Sequence, residues 1–470
     1  MDGEQESIQT IVTAGQALLP NGWAQDVRLA LANGRIAAIE TDAAIAADAA
    51  IAADACHHYD VLIPGIPNLH SHAFQRGMAG LAEMRGDIAD TFWTWRQVMY
   101  RFALTMSPEH LEAIAQQAYI EMLESGFTRV GEFHYLHHAP DGTPYDDPAE
   151  MASRIAAAAR STGIGLTLLP VFYAHATFGG VAPEPHQRRF VSTLPLFERM
   201  VDRCQELIAG VPGGVLGVAP HSLRAVTPGE LDEVVALAPD GPIHIHAAEQ
   251  VKEVEDCLAW SGQRPVAWLL DRAGIDRRWC LIHATHLEAA EVSGLAASGA
   301  VAGLCPVTEA NLGDGIFPGK AFSEQGGRLG VGTDSNILIG VAAELRQLEY
   351  AQRLAVRERN VLAGQHRSTG RSLVDTALAG GTQALCGPEA HAGLAVGAPA
   401  EFVALDRSAA PPLDGDAILD AWIFADLARV EDVWVNGRQV VSQGRHIDRN
   451  ASVARYRQVI AALLNGFSHA

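Results

Sequence analysis

Two histidines two positions apart, His70 and His72, stand at the end of a short apolar run, Leu62-Ile63-Pro64-Gly65-Ile66-Pro67-Asn68-Leu69. On an extended strand both imidazoles point to the same face, a spacing that lets two of them chelate one ion. Three more strand-like runs end in residues of the same kind. Pro242-Ile243-His244-Ile245 leads into His246 with Glu249 three residues on, Cys280-Leu281-Ile282 leads into His283, and Leu329-Gly330-Val331-Gly332-Thr333 leads into Asp334. Three imidazoles and one carboxylate suit a divalent metal such as zinc. A second carboxylate and a further imidazole could carry protons to and from a metal-activated water. The expected chemistry is hydrolysis.

Each residue also has a plainer explanation. A lone His-x-His serves core packing about as often as metal binding, and an isolated Asp after Gly332-Thr333 is usually a turn or cap residue. Ligand-type residues at four strand ends together tip the balance to a metal centre. His244 and His246 are two apart, so alternation puts both on one face and cannot choose between them. His246 is preferred because it lies nearer the strand end, with His244 packed or supporting. His286, three past His283, is expected as a supporting or surface residue. Glu249 fits a proton shuttle. Asp334 could complete the metal shell and accept a proton from the water. Four protein groups plus water give five-coordination, which zinc tolerates at catalytic sites. No lysine occurs in residues 214–224, where two-metal barrels commonly place a bridging modified lysine, so a single metal is expected.

A second set of residues could capture an anion. Arg96 in Phe92-Trp93-Thr94-Trp95-Arg96, placed in the long loop after the first strand, Tyr135 and Arg224 lie in or near strand-end loops. The planar guanidinium fork matches a carboxylate bidentately, so two arginines could hold a dicarboxylate. Gln75 and His221 could hydrogen-bond a polar group near the metal.

The elements that must position these residues read as a barrel. Apolar runs near 63–69, 128–135, 165–173, 215–219, 243–247, 280–284, 301–305 and 328–332 alternate with helical patterns. The helical patterns include 108–125, 148–162, 190–209, 250–273 and 341–361. Eight such runs fit an α/β (β/α)8 TIM-like barrel, whose chemistry sits at the C-terminal ends of its strands. The early strand lacks a Gly-x-Gly-x-x-Gly turn, against a doubly wound dinucleotide fold. Residues 8–62 read as β structure with an Asn33-Gly34 hairpin turn, and the same grammar returns at 401–441 around Asn436-Gly437. These ends are expected to pair into a small β-sandwich domain of residues 1–62 and 393–450. The barrel is placed at 63–392 and a helical tail at 451–470. The repeat of Ala-Ile-Ala-Ala-Asp-Ala across 44–55 reads as a tolerant surface segment.

Composition sets outer limits. The chain has 470 residues, 48% hydrophobic and 19% charged, enough for a large core. Its formal charge of −21 argues against nucleic acid or an anionic membrane as partner. That field also repels an acidic substrate, so any arginines must capture one locally. The six cysteines form no Cys-x-x-Cys pair and read as reduced thiols, mostly in the core. No charged leader with a following apolar stretch opens the chain and no run approaches a membrane span, so a cytoplasmic location is expected.

The His70-x-His72, His246, His283 and Asp334 arrangement inside a split β domain resembles the amidohydrolase superfamily. Within it, four stretches resemble the formimidoylglutamate deiminase family of histidine degradation. They are Pro67–Gly80, Thr91–Tyr100 with Phe-Trp-Thr-Trp-Arg, Gly131–His137 with Glu-Phe-His-Tyr-Leu-His, and His244–Gln250. The metal motifs mark the superfamily; the second and third stretches point to the deiminases. The resemblance implies hydrolysis of the small dicarboxylate amidine N-formimino-L-glutamate to N-formyl-L-glutamate and ammonia. It implies one zinc per subunit, with Fe2+ or Mn2+ as alternatives, held by His70, His72, His246 and Asp334. It assigns proton transfer to Glu249 and His283 beside Asp334. It makes Gln75, Arg96, Tyr135, His221 and Arg224 substrate contacts, and implies a homodimer. Two other readings compete: a deaminase of a purine or pyrimidine ring, which should prefer apolar and amide contacts over paired arginines, and a catalytically silent scaffold barrel, which would lose ligands.

Overall fold

The computed structural model describes residues 10–41, 56–84, 91–387, 390 and 392–467. The alanine-rich 44–55 stretch lies outside these. The N-terminal strands are β1 (Thr10–Leu19), β2 (Gly22–Ala32), β3 (Arg35–Glu40) and β4 (Cys56–Pro64). Asn33 and Gly34 both take positive φ, 51° and 77°, the two-residue turn whose twist matches a hairpin. The barrel strands follow as β5 (Ile66–Ser71), β6 (Phe127–His134), β7 (Gly165–Phe172), β8 (Val215–Leu216), β9 (Ala219–Pro220), β10 (Ile243–Ala247), β11 (Trp279–His283), β12 (Val301–Leu304) and β13 (Arg328–Val331). The chain closes with β14 (Phe402–Asp406), β15 (Arg429–Val435), β16 (Arg438–Ser442) and β17 (Arg445–His446).

The two chain ends meet in one eight-stranded sheet of order β17-β16-β15-β14-β4-β1-β2-β3. The junction is antiparallel, with Phe402 opposite Pro64 and Val403 opposite Ile63. One face packs Val12, Leu29, Ile36, Leu62, Phe402 and Trp434 into an apolar cluster of its own. Burial of such side chains contributes on the order of 1.5–3 kcal/mol each, so two distant segments can hold one sheet together.

The middle of the chain winds into parallel sheets, β5-β6-β7-β8 with β9 on β7, and β10-β11-β12-β13. Parallel bridges Val218–Ile243 and Ser222–His246 join them on one side, and Ser71–Asp334 on the other. The strands therefore run as a ring. The fourth expected strand is two short pieces, because the chain steps from β7 to β10 at Gly217, where a Cβ would lie 2.4 Å from Pro242 O. The strands are buried throughout apart from the partly exposed β8 and Arg328, as parallel sheets covered by helices must be.

Helices differ from expectation mainly at their ends. The pattern over 250–273 splits into Val251–Ser261 and Pro265–Arg272, separated by Gly262 at φ 75°. The pattern over 341–361 stops at Val356, capped by Arg357 in the left-handed region. The helix Thr369–Cys386 was not foreseen. Its Gly380 lies so close to the barrel that a Cβ would meet Leu329 O at 2.0 Å. Its last turn places Ala384 and Leu385 against Leu69, Cys280, Ile282 and Val301, closing the barrel floor. The final helix, Arg449–Phe467, lies on Pro108–Glu124 through Arg449–Glu124 and Ser452–Gln117 contacts at 2.8 and 3.0 Å.

Candidate metal centre and active site

His70, His72, His246 and Asp334 converge at the C-terminal mouth of the barrel, all buried, with their ligand-type atoms within 4.8 Å of one another. His70 Nε2 lies 3.2 Å from both His72 Nε2 and His246 Nε2, and 3.4 Å from Asp334 Oδ1. His72 Nε2 is 3.2 Å from the same oxygen. The tautomers of two rings follow from their other nitrogens. His72 Nδ1 faces Phe133 O at 2.9 Å and His246 Nδ1 faces His221 O at 3.1 Å. A carbonyl can only accept, so these nitrogens donate and each Nε2 turns a lone pair inward. Lone pairs facing at such separations repel unless a cation lies between them. Bonds of about 2.0–2.2 Å to a zinc-like ion put neighbouring ligands roughly 3.3 Å apart, in accord with these spacings. The donor set therefore fits a first-row divalent metal.

Electrostatics prepare the same site. Burial lowers the pKa of His70 to about 3 and lowers those of His72 and His246, so all three stay neutral and able to donate. For Asp334 burial works upward, but the His70 hydrogen bond and the neighbouring imidazoles outweigh it and keep the carboxylate ionised.

A polar clasp aligns β5 with the end of β13. Asp334 N donates to His70 O at 2.9 Å, and His72 N to Asp334 O at 2.9 Å. Asn68 Oδ1 accepts from Thr333 N at 3.0 Å, and Asn336 Nδ2 reaches Ser71 Oγ, His72 O and Asp334 O at 3.1 Å each. Asp334 and Asn336 take φ values of 44° and 56°, strained for residues with side chains. Gly332 is required here, since a Cβ would stand 2.7 Å from His70 N. His244, by contrast, donates from Nε2 to Ala384 O at 2.8 Å, one layer deeper, and does not join the cluster.

His283 and Glu249 occupy the side of the cluster facing β10 and β11. His283 Nε2 is 3.7 Å from Glu249 Oε1 and 4.0 Å from Asp334 Oδ2. Its Nδ1 lies 3.2 Å from Glu309 Oε1, which also accepts from Cys305 N at 2.8 Å. Burial alone would lower the His283 pKa, but Glu249, Glu309 and Asp334 together push it up to about 10. Burial raises that of Glu249 despite His283 and Arg224 nearby. Sequence reasoning missed Glu309. It lies on the short helix Pro306–Leu312, where an acid resembles an ordinary first-turn residue, and its only signal was a carboxylate four positions past a strand end. Glu309→Gln is expected to keep the metal and lower kcat roughly 10- to 100-fold with KM little changed, Glu309→Asp recovering part of the loss. Steady-state kinetics with metal analysis would decide, and a loss of metal alone would make Glu309 purely structural.

Glu253, also unforeseen, fixes the turn carrying Glu249. It accepts from Ala248 N at 3.2 Å and Glu249 N at 3.1 Å, while Ala248 sits at φ 52°. Arg224 Nη2 stands 3.8 Å from Glu249 Oε2 and 4.0 Å from Glu253 Oε2.

A cavity of about 560 Å3 opens above this cluster. All five residues proposed to meet substrate line it: Gln75, Arg96, Tyr135, His221 and Arg224. Gln75 Nε2 donates to Tyr135 Oη at 2.9 Å. Arg96 is on the helix Phe92–Ala103 rather than in a loop, a correction explained by reciprocal capping between Thr91 and Thr94. Its guanidinium is held by two tyrosines that sequence reasoning passed over, Tyr100 at 2.5 Å and Tyr173 at 3.3 Å. Gln187 Nε2 in turn donates to Tyr173 Oη at 2.6 Å. His286 lies to one side, its Nε2 donating to Asp314 O at 2.9 Å.

A ring of parallel strands with a buried metal-type cluster at its C-terminal mouth, and a paired acid and imidazole beside it, is the frame of a metal-dependent hydrolase. The amidohydrolase family profile matches residues 61–440, and the profile of the N-terminal domain of the formimidoylglutamate deiminase HutF matches residues 9–51. The chain belongs to the amidohydrolase family. A formimidoylglutamate deiminase of Pseudomonas aeruginosa is 51% identical over 97% of this chain and 99% of its own. A crystal structure of an amidohydrolase from Brucella melitensis shares 56% identity, covers 97% of this chain and 100% of that one, and superposes with a TM-score of 0.93. A zinc-bound adenosine deaminase from Xanthomonas campestris has the same fold, at 24% identity, 98% and 99% coverage and a TM-score of 0.80.

Proposed function

We propose that this enzyme hydrolyses N-formimino-L-glutamate to N-formyl-L-glutamate and ammonia, the reaction of histidine degradation. The observation that carries this reading is the 51% identity, over nearly the whole of both chains, to a formimidoylglutamate deiminase. The pocket supports it, because Arg96 and Arg224 place two guanidinium groups in one cavity with the metal-type cluster. Two carboxylates of a glutamyl group need such partners in a protein of charge −21.

His70, His72, His246 and Asp334 would hold one zinc, with Fe2+ or Mn2+ compatible with the same donors. A divalent ion there supplies Lewis-acid charge and lowers the pKa of a water from 15.7 towards roughly 7. Asp334 Oδ2 accepts the proton of the attacking water, while His283, kept protonated by its carboxylate neighbours, orients that water from Nε2 and donates a proton in the later steps. Glu249, its proton affinity raised by burial, delivers a proton to the imino nitrogen, making the carbon more electrophilic. Water oxygen adds to that carbon and gives a tetrahedral intermediate bearing hydroxyl and amino groups. A second proton passes to the amino nitrogen, ammonia leaves, and the hydroxyl becomes the formyl carbonyl. Arg96, Tyr135 and Arg224 grip the glutamyl carboxylates, so binding far from the reacting carbon fixes its position. Gln75 and His221 contact the substrate nearer the metal.

Arg224→Met is expected to raise KM for the dicarboxylate about 10- to 100-fold, the value of a charge-assisted hydrogen bond, with a smaller fall in kcat through its contact with Glu249. An unchanged KM would place the clamp elsewhere. The reading itself is tested by ammonia release from N-formimino-L-glutamate, with the formimino-aspartate homologue as a length control and guanine and cytosine as ring substrates. Activity confined to a ring would overturn it. A homodimer and a cytoplasmic setting complete the proposal, the first tested by sedimentation. Among the described residues no helix is long and apolar enough to cross a membrane.

A further inference from the structure

We propose that His283, Cys305 and Asp334 form a second metal site, which takes an additional thiophilic divalent cation such as Zn2+ or Cd2+ and so blocks the enzyme. Among the described residues, two groups of side chains approach closely enough to hold an ion. Besides the cluster described above, the other is His283, Cys305 and Asp334, all buried, with ligand atoms within 4.8 Å of one another. The groups share Asp334, whose two oxygens face different ways. Oδ1 lies 3.4 and 3.2 Å from His70 and His72, while Oδ2 lies 4.0 Å from His283 Nε2. A carboxylate so placed can bridge two ions.

Charge and donor chemistry favour a soft cation there. Glu249, Glu309 and Asp334 approach His283 at 3.7, 3.2 and 4.0 Å, a surplus of negative charge that one more divalent ion would offset. Cys305 follows β12 at the N-cap of the helix Pro306–Leu312, and among the described residues its sulfur has no hydrogen-bond partner, unlike that of Cys257 with Ser261. As a simple core thiol it would pack with Leu69, Cys280 and Val301 and do nothing more. A thiolate beside an imidazole and a carboxylate selects Zn2+ or Cd2+ over Mg2+ or Ca2+. Positive φ at His283 (66°), Ala284 (47°) and Asp334 (44°) shows that the fold spends conformational energy on this convergence.

His283 and Asp334 line the substrate cavity, so the ion enters from the substrate side. Binding releases two protons to solvent, the Cys305 thiol proton in exchange for a metal–sulfur bond and the His283 Nε2 proton in exchange for a metal–nitrogen bond. It also occupies His283 Nε2 and Asp334 Oδ2. The loss of turnover that follows rests on the roles proposed for those two groups; the binding itself does not.

The test uses the one-zinc holoenzyme with the exposed Cys56 changed to Ser, titrated with Cd2+. Zinc retention, the ultraviolet thiolate-to-cadmium charge-transfer band and ammonia release are followed together. One extra equivalent should bind with the band present, zinc retained and kcat falling in step. Cys305→Ser in the same background should keep its cadmium-free kcat, lose the band and need on the order of tenfold more Cd2+ for half-inhibition. Replacement of zinc by cadmium without a second equivalent, a second equivalent without the band, or Cys305→Ser titrating like its parent would each overturn the site. A band with undiminished kcat would keep the site and overturn the inhibition, along with the proton-transfer roles of His283 and Asp334. Should Cys305→Ser fail to fold, Cys305→Ala repeats the comparison, and the band in the parent protein decides alone.

Discussion

Glu249→Gln is expected to keep its full complement of metal and lose about 10²- to 10⁴-fold in kcat, the range that general acid–base catalysis supplies. The substitution is nearly isosteric. Its backbone remains pinned by Glu253, whose oxygens accept from Ala248 N and Glu249 N at 3.2 and 3.1 Å, so the turn has no reason to move. Glu249 belongs to neither cluster of metal-type side chains, which leaves the four converging donors intact. What disappears is a buried carboxyl able to pick up and release a proton beside His283, and an amide cannot take that part. KM should change little, apart from the relaxed contact to Arg224 at 3.8 Å. Steady-state ammonia release with metal analysis on one preparation checks both halves. A near-normal kcat would remove Glu249 from the mechanism, and a fall in metal content would assign it to the metal centre instead.

His72→Ala should lose metal and activity together. His72 Nε2 stands 3.2 Å from both His70 Nε2 and Asp334 Oδ1, so its removal opens one side of the donor set. The Phe133 carbonyl, which accepted from Nδ1 at 2.9 Å, loses its partner as well. Losing a ligand should cost more than the roughly 10- to 100-fold in affinity seen when only a ligand's supporting partner is removed. The protein should also melt earlier in the presence of zinc than its parent, because it forfeits stabilisation by a ligand that binds only the folded state. Retention of one tightly bound equivalent after dialysis against a chelator would refute the role assigned to His72.

Much of the frame could be read from residue pattern because its physics is local. Strands buried on both faces appear as mostly apolar runs, and every run singled out as a barrel strand overlaps at least one. Asn33-Gly34 and Asn436-Gly437 mark hairpins because both residues tolerate positive φ, and all four adopt it. Other features depend on partners far away in sequence. Thr369–Cys386 contains Gly380-Gly381, which weakens helix propensity, and only the close approach of Gly380 to Leu329 and of Gly381 to Pro67 explains the pair. Arg96 could not be assigned to a helix without its cap, and Glu309 could not be told from any other acid in a first helical turn.

The amino-acid sequence by itself determined which residue types end the strands: paired imidazoles at the end of β5, an imidazole on β10 with a carboxylate after it, another imidazole on β11 and the Asp334 carboxylate after β13. Strand alternation is a property of the local backbone and needs no partner. Only the tertiary structure decided between His244 and His246, since both share a face and differ only in depth. His246 comes within 3.2 Å of His70, whereas His244 meets Ala384 on the helix that seals the floor. Depth in a barrel is set by the register between neighbouring strands and by what plugs the ends, and both arise from contacts across more than a hundred residues of chain.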